Sequence, residues 1–352
     1  MTNLTLMESE TQESASIIEN QLKSNLDIFA DIVKRLKKDP PPFIGTIARG
    51  SSDHAAAFAK YAFETHVGIL TATISPSIHT LYKSKLNYKN SLIISISQSG
   101  KSEDLIESLS YARKHGAVTL SFVNEEHSPL AKESEYNIPL LAGKENSVAA
   151  TKSYIASLSR IIQFIAEWTF HGELKQYLHD LPIILNTKKD VSLSSAIDIL
   201  KGEQNVLVLG RGFGFPIALE SALKLKETCG LHAEAFSGAE ILHGPFELIQ
   251  KNCPVIIYLQ KDATYSSMLK LIEKIDEKNA QMILIGAQNI LNLDDLKLKK
   301  NPILIPTQNS VHPLCDCISL INTFYPFAAK LALSKGRNPD KPENLNKVTS
   351  TV

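Results

Sequence analysis

Residues 97–102 read Ser-Gln-Ser-Gly-Lys-Ser, follow the run Leu-Ile-Ile-Ser-Ile, and precede Glu103 and Asp104. This order predicts a strand, a tight turn and the first turn of a helix. A helix start offers unpaired N–H groups and the positive end of the helix dipole to an anion. The hydroxyls of Ser97, Ser99 and Ser102 add neutral donors. The spacing is that of neither a nucleotide P-loop nor a dinucleotide fingerprint. It suits a compact phosphate monoester, with a plain serine N-cap at a strand–helix turn as the alternative.

Glu220, Lys224 and Glu227 form a second group, spaced so that they share one helix face. Ala218, Leu219, Ala222, Leu223 and Leu225 make the rest of that helix apolar. Glu-x-x-x-Lys pairs are usually solvated decoration. In a buried helix the same stripe would border a cleft, where a carboxylate is suited to proton transfer. His243 sits before Gly244 and Pro245 and three residues after Glu240, which makes it an acid–base candidate. Residues 336–349 have no hydrophobic period. They read either as a polar tail or as a proline-stiffened lid that brings the Lys347 amine to a pocket.

The elements that must position these groups follow from hydrophobic periodicity. The first dozen residues are polar and expected to fray. Ile17, Ile18, Leu22, Phe29, Ile32, Val33 and Leu36 then predict a single amphipathic helix that stops at Pro40-Pro41-Pro42. Strands are expected over 43–48, 70–74, 92–97, 118–123 and 138–141, with helices starting near Ser52, Ser102 and Ala150. The stretch 153–170 is interrupted by Arg160, Gln163 and Glu167 and reads as an amphipathic helix, not a membrane span. After a helical connector, strands are expected over 206–209, 255–259, 282–285 and 303–306, and helices over 216–228, 266–278 and 313–333. Such alternation predicts α/β architecture with a mostly parallel sheet flanked by helices, and ligands at the carboxyl ends of the strands. The turns Arg49-Gly50-Ser51-Ser52 and Gly210-Arg211-Gly212 lie at such ends. Ser51 and Ser52 could cap a helix or bind a substrate hydroxyl.

The pattern repeats. The segment from Ala48 lies over that from Gly210, and at the same offset Gln98 meets Gln260. Two matches at one offset favour duplication. The expected organisation is an N-terminal segment 1–24, a first half 25–170 with the phosphate loop, a connector 171–189, a second half 190–335 with the catalytic helix, and a tail 336–352.

Composition narrows the function. Lys+Arg and Asp+Glu are both 37 in 352 residues, and this balance argues against a dedicated nucleic-acid binder. Of four cysteines, only Cys315 and Cys317 are close, and no second pair stands at zinc-ligand spacing, so no metal is expected. Few thiols, no signal peptide and no membrane span point to the cytoplasm.

Taken together, six segments resemble the sugar isomerase (SIS) family. They are Ser-Gln-Ser-Gly-x-Ser at 97–102, Val-Ala-Ala-Thr-Lys at 148–152, Gly-Arg-Gly with Ala-Leu-Glu-x-Ala-Leu-Lys-Leu-Lys-Glu within 210–227, His-Ala-Glu-Ala at 232–235, Glu-x-x-His-Gly-Pro at 240–245, and the tail Asp-Lys-Pro-x-Asn-Leu-x-Lys-Val-Thr. They resemble the isomerase part of glucosamine-6-phosphate synthases, and most of all the stand-alone SIS-type glucosamine-6-phosphate deaminases. The resemblance implies two SIS subdomains, an N-terminal helix and an ordered tail. It implies that Ser97, Gln98, Ser99 and Ser102 hold a phosphate and that Ser52, Val148 and Ala150 line a sugar pocket. Glu227 would shuttle a proton between C1 and C2, with Glu220 and Lys224 completing the acid–base face. His243, supplied by the neighbouring subunit of a homodimer, would open the ring. Lys347 would form a Schiff base or position the open chain. Ala150 departs from the serine often found there.

The chain begins Met1-Thr2-Asn3, without the N-terminal cysteine of a glutaminase, so glutamine hydrolysis is not expected. The expected reaction is isomerising deamination of glucosamine 6-phosphate to fructose 6-phosphate and ammonia, without a cofactor. Alternatives are a fructosamine-6-phosphate deglycase, an aminotransferase-like isomerase, and a non-catalytic sugar-phosphate sensor.

Overall fold

The computed structural model describes residues 4–24, 26–187, 191–291, 293 and 296–347. They form two compact units. The first contains Ser14–Glu145, Lys152–Pro182 and the tail from Asn346; the second contains the N-terminal residues to Glu13, Asn146–Thr151 and Ile183–Leu345.

Three helices precede the first strand: α1 (Leu6–Gln12), α2 (Ser14–Leu22) and α3 (Leu26–Lys38). The expected single helix is thus corrected to three, and the expected fraying is corrected for residues 6–12; residues 1–3 lie outside the described ones. Thr5 accepts from the Glu8 amide while the Glu8 carboxylate accepts from the Thr5 amide, a reciprocal cap that local polarity hides.

In the first unit the strands are β1 (Ile44–Ile47), β2 (Thr71–Thr73), β3 (Leu92–Ser97), β4 (Val118–Val123) and β5 (Tyr136–Pro139). They run parallel in the order β2-β1-β3-β4-β5. The helices are α4 (Ser51–His66), α5 (Ser77–Thr80), α6 (Glu103–Lys114), α7 (Pro129–Glu133) and α8 (Lys152–Thr169). β3 and β4 are buried along their whole length, as parallel strands covered on both faces must be.

Helix α8 differs from the half-solvated helix expected, because nearly all of it is buried and it packs against α2, α3 and α4. Arg160 is fully buried within it. Its guanidinium donates to the carbonyls of Pro139 at 3.0 Å and Gln21 at 2.9 Å and to the side-chain oxygen of Gln163 at 2.7 Å. Those acceptors make the burial tolerable, although desolvation still lowers the pKa of Arg160 to about 10. Among the described residues no helix is long and apolar enough to cross a membrane.

The connecting helices are α9 (Gly172–Asn186) and α10 (Ser194–Lys201). In the second unit the strands are β6 (Asn205–Gly210), β7 (His232–Ser237), β8 (Pro254–Leu259), β9 (Gln281–Ala287) and β10 (Ile303–Thr307). The sheet order is β10-β9-β8-β6-β7, again all parallel. Its helices are α11 (Gly214–Lys224), α12 (Tyr265–Glu277) and α13 (Pro313–Ser334).

Numbered within each sheet, both orders are 2-1-3-4-5, and β1 corresponds to β6 and β3 to β8, the pairs matched in the sequence repeat. Sequence reading missed β7. It is an edge strand with much of its surface in solvent, so it lacks a buried apolar run.

Candidate active site

The order 2-1-3-4-5 reverses direction between its first and third strands, and in open α/β sheets the crevice at that switch point takes ligands. In the first unit the two turns there are the one after β1, with Arg49 to Ser52, and the one after β3, with Ser97 to Ser102.

In the second of these, the Gly100 amide donates to Ser97 Oγ at 3.0 Å and the Lys101 amide to Ser99 Oγ at 3.4 Å. Both hydroxyls accept from the loop's own backbone, so each keeps its hydrogen to donate outward. Gly100 has φ +62°, and a Cβ there would stand 2.1 Å from Ser128 Oγ, so the turn closes only on glycine. Ser102 occupies the N-cap of α6 with extended backbone but makes no side-chain cap hydrogen bond. That argues against the ordinary serine cap. Asp104, buried in the first turn of α6, accepts from Arg49 Nη2 at 2.8 Å and Nε at 3.0 Å. This bracket ties the turn after β1 to α6, and sequence reading missed it because a 55-residue separation carries no local signal. Gln98 and Ser52 are both half-buried in these turns.

Lys347 also belongs to the first unit. Its Nζ lies 3.1 Å from Glu145 Oε2, on a carboxylate fully buried at the start of α8. Glu145 further accepts from the Ser153 amide at 3.1 Å and from Ser153 Oγ at 2.9 Å. A buried carboxylate facing a helix start is stabilised by those donors and by the dipole. Val348 and Thr349, the end of the tail motif, lie outside the described residues.

The second unit carries the acid–base face. Glu220 and Lys224 are fully buried on α11, with Lys224 Nζ 3.5 Å from Glu220 Oε1. Tyr325 Oη on α13 donates to the same Glu220 oxygen at 3.2 Å. Lys224 also pairs with Glu227 Oε2, and the Glu227 side chain keeps 21% of its exposure. The helix is not one uninterrupted α-helix to Thr228. After Lys224 it widens into a π-helical turn, Leu225–Cys229, closed by Gly230 at φ +62°. Such turns recur at functional sites because they re-aim a side chain without ending the helix. Here the turn carries Glu227 to the wall of a cavity of about 360 Å³, lined also by Lys226, Gly230, Arg337 and Asn344. One carboxylate is locked away with the lysine and the other reaches an opening.

Val148 and Ala150 are half-buried in Asn146–Thr151, a segment of the second unit that is neither helix nor strand. His243 follows a short 3-10 turn, Glu240–Leu242, and is exposed; it does not line the Glu227 cavity. Cys315 and Cys317 are buried in α13, where desolvation pushes both thiols well up. Among the described residues no group of three His, Cys, Asp or Glu side chains could hold a metal ion.

Known proteins share this architecture. The SIS-domain profile matches residues 43–167 and 199–310, one stretch for each sheet. A glutamine–fructose-6-phosphate aminotransferase (isomerizing) of Thermotoga maritima is 32% identical over 333 residues, which are 92% of this chain and 53% of the relative. The chain thus spans about half the length of the curated relatives it matches. A crystal structure from Silicibacter pomeroyi, described as a candidate phosphosugar isomerase, superposes with a TM-score of 0.86 at 30% identity, covering 96% of this chain and 100% of that one. That of glucosamine-6-phosphate deaminase from Thermotoga maritima gives 0.71 at 22% identity, covering 97% and 100%, a likeness of fold alone. With both sheets matched by the same profile and the same strand order in each, the chain belongs to the SIS-domain family.

Proposed function

We propose that the protein is an amino-sugar-phosphate isomerase that deaminates glucosamine 6-phosphate, giving fructose 6-phosphate and ammonia with the uptake of one water. The observation that carries this reading is Glu227, a carboxylate paired with a buried lysine yet open to a cavity. It combines a fixed position with access to a substrate proton. Ser97, Gln98, Ser99 and Ser102 hold the phosphate, and Ser52, Val148 and Ala150 line the sugar pocket.

His243 opens the ring. Glu227 takes the C2 proton and returns it to C1, converting the open-chain amino aldose through an enolamine into the C2 imine. Water adds to that imine and ammonia leaves. Alternatively Lys347 first displaces ammonia by forming its own imine at C2, and water then releases fructose 6-phosphate and regenerates the amine. Lys224 holds Glu227 in place, and Glu220 balances the charge of Lys224.

A coupled assay for fructose 6-phosphate and ammonia across several amino-sugar phosphates tests the proposal. Release of both products from glucosamine 6-phosphate is expected. Turnover of a fructosamine 6-phosphate alone would replace it by a deglycase. The aminotransferases among the relatives support a second reading, amination of fructose 6-phosphate. Net glucosamine 6-phosphate formation at high ammonia would favour that direction.

Ser99→Ala removes one hydroxyl from a charged acceptor, a loss of about 1.5–3 kcal/mol. It should weaken glucosamine 6-phosphate roughly tenfold or more and leave unphosphorylated glucosamine almost unchanged. Equal weakening of both ligands, read by calorimetric titration, would place the phosphate elsewhere.

The proposal includes a homodimer whose sites borrow His243 from the neighbour, in keeping with its exposure beside the exposed Leu242 and Leu248. Mixing inactive Glu227→Gln with inactive His243→Ala subunits should restore part of the activity. If subunit exchange is demonstrated and no activity returns, the site is complete within one chain.

A further inference from the structure

Glu10 is only 2% exposed. A carboxylate is not buried so deeply without donors to replace water. On helix α1 it accepts the backbone N–H groups of Asn146 and Ser147, the latter at 3.3 and 3.4 Å to its two oxygens. These amides open the irregular segment Asn146–Thr151, which is neither helix nor strand, so no regular ladder of its own satisfies them.

The next amide, of Val148, donates to the backbone carbonyl of Asp340 at 3.1 Å. The Asp340 carboxylate in turn caps α1, accepting the Leu6 amide at 2.8 Å and the Met7 amide at 2.9 Å. The circuit is closed: α1 holds the segment through Glu10, the segment holds Asp340, and Asp340 holds the start of α1. All these groups lie in the second unit, and α1 also packs along α13.

We propose that Glu10 and Asp340 are positioning residues that set the backbone of Asn146–Thr151 so that Val148 and Ala150 face the sugar. This rests on the sugar-lining role given to those two residues above. Three consecutive amides are each fixed by an oxygen from one end of the chain or the other, so the segment has one backbone path. Substrate then binds without first having to order it.

The test uses the full chain with Glu10→Gln and, acting from the other end of the circuit, Asp340→Asn. Amide exchange followed by mass spectrometry reads the clamp without substrate. Exchange over 146–148 should quicken by about tenfold, the factor that loss of one charge-assisted hydrogen bond represents. Kinetics with glucosamine 6-phosphate should show KM raised about tenfold with kcat nearly unchanged, since saturating substrate restores the same path. Unchanged exchange in both folded variants overturns the clamp. Faster exchange with unchanged KM overturns its link to the sugar. An equal fall in kcat and thermal stability with KM unmoved would mean that the residues only brace the fold. If wild-type protein neither binds nor converts any sugar phosphate, the functional reading fails, and the exchange arm still supports or overturns the clamp.

Discussion

Glu227→Gln is expected to lower kcat by about a hundredfold or more, the usual contribution of a positioned general base. The amide keeps the size and planarity of the carboxylate and can still accept from Lys224, so the π-helical turn and the cavity wall should persist. It has no basic oxygen to take the C2 proton. Binding of glucosamine 6-phosphate should stay within a few-fold of wild type because the phosphate loop is untouched. Turnover in deuterated water separates the steps: wild type should place deuterium at C1 of the product, and the variant should release C2 hydrogen far more slowly. Near-normal turnover would remove Glu227 from the proton transfer.

The second large effect is on stability. Lys224→Met should destabilise the protein by about 3–5 kcal/mol, the loss seen when one member of a buried ion pair is removed. The lysine and Glu220 are both fully buried, so Glu220 would lose its cation while the Tyr325 hydroxyl still donates to it. A buried carboxylate deprived of its cation is driven to protonate or to draw water inward. Denaturant unfolding should show the midpoint falling with little change in slope. Adding Glu220→Gln should recover much of the loss, because it removes the orphaned charge. A Lys224→Met protein as stable as wild type would mean that the cluster is hydrated rather than sealed.

The parallel strands were legible in the sequence because burial on both faces demands continuous apolar runs, as in 92–97 and 118–123. The duplication was legible for the same reason, since strand, glycine turn and helix recur in register, and the two sheets have one strand order. So was the grouping of Glu220, Lys224 and Glu227, because helical spacing puts them on one face whatever the surroundings.

Other features were decided by contacts that no local pattern encodes. Residues 6–12 look like part of a polar fringe, yet they form α1, which Asp340 from far along the chain caps. The 153–170 helix looks half-solvated, yet carbonyls of Pro139 and Gln21 satisfy Arg160 in the interior. The widening after Lys224 lies inside a run of ordinary helix formers. Sequence alone thus determined the residue types at the ends of the buried strands β1, β3, β6 and β8 and along one face of α11, since these follow from apolar runs and from the helical period. Tertiary structure decided which polar groups could be buried and where their partners come from. A buried charge is tolerated only where distant backbone and side-chain groups converge on it.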